Sequence, residues 1–161
     1  MLTLEQMLIR LGLAAFLGLL MGIERQFAGK EAGLRTDMMV AAGAAIFSIA
    51  GMSLPYLIAL SPENLADVIA RNSGFLTVIA NVIVGVGFLG AGIIVKQGMH
   101  VRGLTTAATV WFVAAVGVLC GIGLLTFAVI SAVGMSAILW LSRLPGINRF
   151  MDKEAKKEKN L

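Results

Sequence analysis

The chain has 161 residues, of which 58% are hydrophobic and 14% are charged, and its formal net charge is +4 at neutral pH. Soluble domains carry about 25% charged residues, so this composition excludes an ordinary soluble globular protein. It also leaves no room for a separate soluble catalytic domain of ordinary size.

Five apolar runs supply candidate membrane spans. A helix needs roughly 20 apolar residues to cross the hydrocarbon core, and the runs reach or approach that length. They are Leu8–Ile23, Met38–Leu60, Phe75–Val95, Leu104–Leu119 and Ile122–Leu141. We therefore predict an all-α polytopic bundle of five transmembrane helices over residues 1–142, followed by a short basic tail at residues 143–161.

Lys and Arg fall in alternate connections, and this bias fixes the orientation of a membrane protein. The connections at residues 24–37 and 96–103 and the segment after Leu141 carry most of them, whereas Arg71 is alone in the connection at residues 61–73. We expect the N-terminus outside and the C-terminus in the cytoplasm. The positive charge then serves insertion and contact with lipid, and no groove-reading feature indicates nucleic-acid binding.

Polar residues near the second connection predict local structure. Ser61-Pro62-Glu63 is typical of a helix start, so a short interfacial helix should follow, along which Asp67 and Arg71 can pair. Arg10, inside the first run, is expected to extend outward to Glu63 or Asp67. Asn81, about two turns inside the third run, should hydrogen-bond to a neighbouring helix or line a cavity.

Glycines recur at helical spacing in the apolar runs. Gly85–Gly90 matches the GxGxxG string of dinucleotide-binding loops, but that fingerprint requires a strand-to-helix turn, which a continuous apolar helix lacks. In membranes, small residues instead allow close approach of helices. The predicted helix-packing glycines are Gly18, Gly22, Gly85, Gly87, Gly90 and Gly92.

An offset of 70 residues aligns the first two runs with the next two. Gly22 then overlies Gly92, and Gly33–Thr36 overlies Gly103–Thr106. The alignment predicts a parallel repeat of two helical hairpins plus a fifth helix. Chance is the alternative, because Gly and Ala dominate any membrane chain.

The repeated Gly-Leu-X-Thr places hydroxyls and free backbone amides at the predicted cytoplasmic starts of two spans, where the helix dipole favours anions. We call the polar residues of this membrane face the inner ring. One interpretation is interfacial anchoring and helix capping; the other is a site for a phosphate, a lipid headgroup or a partner protein. The inner ring comprises Glu24, Arg25, Arg35, Thr36, Asp37, Arg102, Thr105 and Thr106.

Four stretches resemble the signature stretches of the MgtC/SapB family: Gly22–Arg25, Ala32–Thr36, Val86–Gly92 and Val101–Trp111. The resemblance implies a bacterial inner-membrane protein associated with growth in low magnesium and, in pathogens, with survival inside host cells. Family members are also linked to restraint of the rotary ATP synthase through membrane contacts. No cofactor is implied, and no metal ligand is assigned.

Two departures from the family pattern matter. Many relatives carry a cytoplasmic regulatory domain after the last helix, whereas a short basic tail follows here, so we expect a short form. Asp37 follows Arg35-Thr36 where relatives usually have a neutral polar residue or His. A virulence role is therefore not transferred to this chain.

Two function classes follow. The first is a non-enzymatic regulator that docks against another membrane complex, or against itself, while the inner ring senses an ionic or phosphate signal. The second is a transporter or channel for Mg²⁺ or another ion. Carboxylates are the ligands that suit Mg²⁺, but no Asp or Glu lies in the middle of a run. An ion path would therefore have to use Asn81 and backbone carbonyls. An enzyme is not expected, because His100 lies in a basic loop without a nearby nucleophile.

Overall fold

The computed structural model describes residues 2–59, 62–71, 74–97 and 100–143. Within these residues the chain forms helices joined by short connections and one small antiparallel sheet. In chain order the elements are α1 (Leu4–Phe27), α2 (Leu34–Ile58), α3 (Pro62–Arg71), α4 (Gly74–Ile93), β1 (Val95–Gln97), β2 (His100–Arg102), α5 (Leu104–Ile122) and α6 (Leu125–Leu141). The short helix predicted after Ser61 is α3.

Four of the helices, α1, α2, α4 and α5, are long and apolar enough to cross a membrane. The chain is therefore a helical membrane bundle. The apolar helix α6 has 17 residues, about 26 Å at the helical rise, which is slightly less than a hydrocarbon core of about 30 Å. The fifth span stays a prediction. The predicted tail beyond residue 143 lies outside the described residues.

Local sequence sets the helix ends. Thr3 and Gln6 form a capping box at the start of α1, with Gln6 N donating to Thr3 Oγ1 at 3.3 Å and Thr3 N donating to Gln6 Oε1 at 3.2 Å. The gap between the fourth and fifth apolar runs predicts a turn at Gly121. That position is wrong, since α5 continues to Ile122 and the turn is made at Gly123, whose φ is +97°. Glycine adopts that left-handed conformation without steric cost.

The helix α2 lies between α1 and α5 and contacts both at small residues. A Cβ on Gly18 of α1 would lie 2.8 Å from the Cβ of Ala41, and a Cβ on Gly117 of α5 would overlap the backbone of Ala41. Close approach through small residues is the means by which helices associate in lipid. The buried core at this contact contains Ala14, Leu17, Met21, Ala41, Ala45, Val113, Val116, Cys120, Ala128 and Ala132.

The helix α4 lies at the edge of the bundle. Only 6% of its stretch Leu76–Ile93 is buried, compared with 56% of α5. Gly90 approaches Ala107, but a Cβ on Gly85, Gly87 or Gly92 would meet no atom within 4 Å. Among the described residues these three glycines contact no neighbouring helix, so their predicted packing role is not met inside this bundle and stays a prediction for contacts outside it.

The helix starts agree with the offset of 70 residues. Helices α1 and α4 begin at Leu4 and Gly74, and α2 and α5 begin at Leu34 and Leu104. The packing differs, because a Cβ on Gly22 would lie 2.6 Å from the Cα of Leu34, whereas Gly92 has open space. The internal repeat stays a prediction.

The connection between α4 and α5 is a β-hairpin that the sequence did not indicate. Strands β1 and β2 pair antiparallel, with Val95 opposite Arg102 and Lys96 opposite Val101. Strands of three residues are too short for alternation to reveal them. Gly103, with φ +85°, then turns the chain into α5.

Candidate functional site

A chain of hydrogen bonds joins α1, the loop after it and α5 at Thr106. Arg25 Nη2, from the last turn of α1, donates to Thr106 Oγ1 at 2.8 Å. Thr106 Oγ1 donates to Glu31 Oε2 at 3.0 Å. Arg25 and Thr106 are each only 2% exposed. Because bonds to charged groups are about twice as strong as neutral ones, this chain ties α1, the following loop and α5 together.

Glu31 is the exposed end of this chain and lies in the loop between α1 and α2. Hydrogen bonds from its own backbone and then from the Thr106 hydroxyl hold the pKa of its carboxyl below the usual value of 4.5. Both donors favour the ionised form. Glu31 therefore accepts from Thr106 as a carboxylate at neutral pH.

Asp37 is a buried carboxylate in the first turn of α2. Its exposed fraction is 0%, and neither carboxylate oxygen has a hydrogen-bond partner among the described residues. Arg25 attracts this group and Glu24 repels it. A charge taken out of water without a hydrogen-bonding partner is costly, so Asp37 marks a candidate functional position.

Glu24 and Arg143 form an ion pair near the C-terminal end of α1. Arg143 Nη2 lies 2.5 Å from Glu24 Oε1, with the Glu24 side chain 8% exposed and that of Arg143 34% exposed. Glu24 Oε2 has no hydrogen-bond partner within the described part of the chain. The pair joins the end of α1 to the end of α6.

The inner ring thus divides into a buried and an exposed half. Glu24, Arg25, Asp37 and Thr106 are buried or nearly so, and they interact with one another or with residues that were not predicted as part of the ring. The residues with exposed or half-buried side chains are Arg35, Thr36, Arg102 and Thr105. The structure brings the first half together and leaves the second at the surface.

Arg10 differs from the sequence expectation. Its Nη1 donates to the backbone oxygen of Gly121 at 2.8 Å, at the C-terminal end of α5. The last carbonyls of a helix have no intrahelical partner and carry partial negative charge, so they attract a guanidinium. Arg10 therefore caps α5. The side chain of Glu63, one of its two expected partners, lies outside the described residues.

Asn81 lies exposed on α4, at a groove between α2 and α4. The groove has a volume of about 500 Å³ and apolar walls that include Val40, Phe47 and Val82. Gly85 lines it one turn beyond Asn81. The sequence predicted that Asn81 would either hydrogen-bond to a neighbouring helix or line a cavity, and it lies at this groove.

Comparison with known proteins shows which family this chain belongs to. The family model described as the MgtC family matches residues 11–145. The chain belongs to the MgtC family. Protein MgtC of Brucella abortus (strain 2308) is 45% identical over 130 residues, which are 81% of this chain and 48% of that protein. Protein MgtC of Salmonella typhimurium (strain LT2) is 44% identical over 110 residues, 68% of this chain and 41% of that protein.

This MgtC-family chain spans about half the length of the curated relatives it matches. No solved structure matches it. The matched region contains every helix from α1 to α6 apart from the first turns of α1, so the family match covers the bundle.

Two site residues of this MgtC-family bundle were missed by sequence reasoning, Glu31 and Arg143. Glu31 follows Lys30 in a connection, a pattern typical of a solvated ion pair, and Arg143 was counted only as a charge that sets orientation. Their partners, Thr106 and Glu24, are distant in sequence. Within the described residues no three His, Cys, Asp or Glu side chains cluster as metal ligands.

Proposed function

We propose that this protein is a non-enzymatic regulator of the bacterial inner membrane, active in adaptation to low magnesium. It acts through intramembrane helix contacts, either with a partner complex or with a second copy of itself. The link to magnesium, and the rotary ATP synthase as the partner complex, are what the family resemblance implies. The observation that carries the proposal is the open face of α4.

The open face of α4 is a stripe of residues four, three and four positions apart, Asn81, Gly85, Phe88 and Gly92. Such spacing places all four side chains on one side of a helix. Phe88 is 85% exposed, and the two glycines have open space around them. Small residues admit a second helix backbone, and an amide side chain can hydrogen-bond across the contact.

The inner ring gives such a regulator a surface for ionic signals. We place it on the cytoplasmic side, with the N-terminus outside and the C-terminus inside, because Lys and Arg concentrate there. Asp37 is buried and its carboxylate has no hydrogen-bond partner among the described residues, so a bound cation there would compensate an unpaired charge.

A transporter or channel for Mg²⁺ or another ion is the alternative. The groove between α2 and α4 favours it, because Asn81 lies beside a volume of about 500 Å³. Against it, the groove walls are apolar and carry no carboxylate, whereas Mg²⁺ retains water and prefers carboxylate oxygens.

Gly85→Leu tests the docking proposal. A leucine at this position has room in the free protein, so insertion and folding should be unchanged, yet it would occupy the space that a partner helix needs. We expect Gly85→Leu to abolish complementation of a low-magnesium growth defect. Gly134→Leu on α6 is the matched control, because Gly134 is equally open, and it should complement like the wild type.

Membrane fractionation must show equal amounts of both variants in the bilayer. Full complementation by Gly85→Leu at that level would refute the docking face. Loss of complementation by both variants would show that any bulky residue on the lipid-facing surface is harmful, which would equally contradict the proposal.

A further inference from the structure

A groove between α1 and α6 ends at the Glu24–Arg143 ion pair. Its volume is about 720 Å³. The pair lies where both helices leave their apolar stretches, since α1 ends at Phe27 and α6 at Leu141. Apolar side chains form the rest of the groove, among them Leu20, Ile23, Val133, Ala137 and Trp140.

Polar atoms in this groove have bonding capacity that the described residues do not use. Glu24 Oε2 is buried and has no hydrogen-bond partner there, and the same holds for the hydroxyl of Ser136. By contrast, the hydroxyls of Ser48 and Thr109 each donate at 2.8 Å to the carbonyl four residues earlier. Unsatisfied polar groups in lipid cost several kcal/mol each, so the groove calls for an occupant with polar groups at one end.

The charges define the headgroup of that occupant. Glu24 presents a carboxylate oxygen, and Arg143, one third exposed, presents guanidinium N–H groups beside it. An ammonium and a phosphate on one molecule complement this pair, since each finds the opposite charge. A headgroup with a phosphate alone would be repelled by Glu24, and a trimethylated ammonium has no N–H to donate.

We propose that the α1/α6 groove binds one phospholipid with an ethanolamine headgroup. The ammonium donates to Glu24, the phosphate accepts from Arg143, and an acyl chain lies along the apolar walls. Ser136 is about 8 Å before the end of α6, at the depth of the glycerol esters, where its hydroxyl can donate to an ester carbonyl. Trp140 lies at headgroup level, as interfacial tryptophans do. The site is separate from the open face of α4.

Native mass spectrometry of the full chain tests this site. The protein is equilibrated with vesicles containing equal amounts of phosphatidylethanolamine, phosphatidylglycerol and phosphatidylcholine, and the bound lipids are counted. We expect one phosphatidylethanolamine to be retained preferentially. Glu24→Gln should lower its preference over phosphatidylglycerol about tenfold, the ratio that corresponds to one hydrogen bond to a charged group.

Ala137→Phe fills the groove while leaving the ion pair intact, so this variant should no longer retain the lipid. Gly134→Leu, elsewhere on α6, is the control and should retain it. Equal retention of the three lipids by the wild type would overturn the proposal, as would wild-type retention by Ala137→Phe. Disulfide-linked dimers of Ala137→Cys in vesicles would place a second copy in the groove and would overturn it as well. Cys120 is buried, so it does not contribute to such dimers.

Discussion

At the scale of single residues, Thr106 connects two charges from different parts of the chain. It accepts from Arg25 and donates to Glu31 through one oxygen. A valine has the same shape but no hydroxyl, so it would leave the buried guanidinium of Arg25 without this partner. Removing one partner of a buried charged group costs more than the bond itself contributes.

The Glu31 carboxylate should stabilise the fold only while it is ionised. Its folded pKa is lower than 4.5, so its contribution is complete above that pH and is lost as the pH falls through the folded pKa. We expect wild type to have a higher Tm than Glu31→Gln at pH 7. Thermal unfolding in detergent at a series of pH values should show this difference shrinking below about pH 4.5 and vanishing once the pH is below the folded pKa.

Thr106→Val is the control for this pH effect, because coupled residues do not behave additively. In the Thr106→Val background, Glu31→Gln should change the Tm less than it does in wild type. An equal change in both backgrounds would separate Glu31 from Thr106. A difference that does not shrink at all as the pH falls below about 4.5 would contradict a role of the ionised carboxylate.

At the scale of elements, glycines with the same spacing have opposite surroundings. A Cβ on Gly117 of α5 would overlap the Ala41 carbonyl of α2, whereas one on Gly87 of α4 would meet nothing. Gly117 therefore sets the distance between two packed helices. Gly87 lies on a surface that contacts lipid or a partner.

Paired alanine substitutions should separate these roles. Alanine is a better helix former than glycine by about 1 kcal/mol, so Gly87→Ala should leave the free energy of unfolding unchanged or slightly raised. Gly117→Ala should lower it by about 1–3 kcal/mol, because the two backbones must move apart. Denaturant unfolding in detergent measures both. A stabilising Gly117→Ala would contradict the close contact between α2 and α5.

The sequence was sufficient to predict where the helices lie along the chain, but not which helices pack against each other. Apolar length and composition predict a membrane helix directly, so all five runs lie largely within α1, α2, α4, α5 and α6. The turn was predicted two residues before its observed position at Gly123, because Gly121 and Gly123 are equally plausible helix stops. Only packing distinguishes them: Gly121 lies against Ser48 of α2.

The candidate site was predictable in part. The inner ring was predicted from its motifs, but motifs do not state which members are buried. Arg25 and Arg35 have the same charge and similar positions near helix ends, yet Arg25 is buried against Thr106 while Arg35 is exposed. That distinction depends on which helix face meets a neighbour, and Glu31 and Arg143 were missed for the same reason.

At the scale of the whole molecule, the charge bias predicts one orientation in the membrane. Arg35 and Arg102 are exposed, and Cys120 is buried and so should label poorly. Arg35→Cys and Arg102→Cys should both react with a membrane-impermeant maleimide in inside-out vesicles and not in intact spheroplasts. Reaction from opposite sides would rule out a single inner ring.

The whole bundle also bears on the choice between regulator and transporter. The open face of α4 borders this groove, sharing Asn81 and Gly85 with it, and it can accept a helix. The groove has apolar walls that suit neither Mg²⁺ nor its bound water. Our central claim is therefore that the protein acts through contact and moves no ion by itself.

Magnesium flux into proteoliposomes that contain only this purified chain tests that claim most directly. Maleimide labelling of Arg35→Cys in vesicles prepared in parallel verifies that the protein is inserted. The account predicts Mg²⁺ entry equal to that of protein-free vesicles. Selective, saturable Mg²⁺ entry that Asn81→Leu abolishes would contradict it.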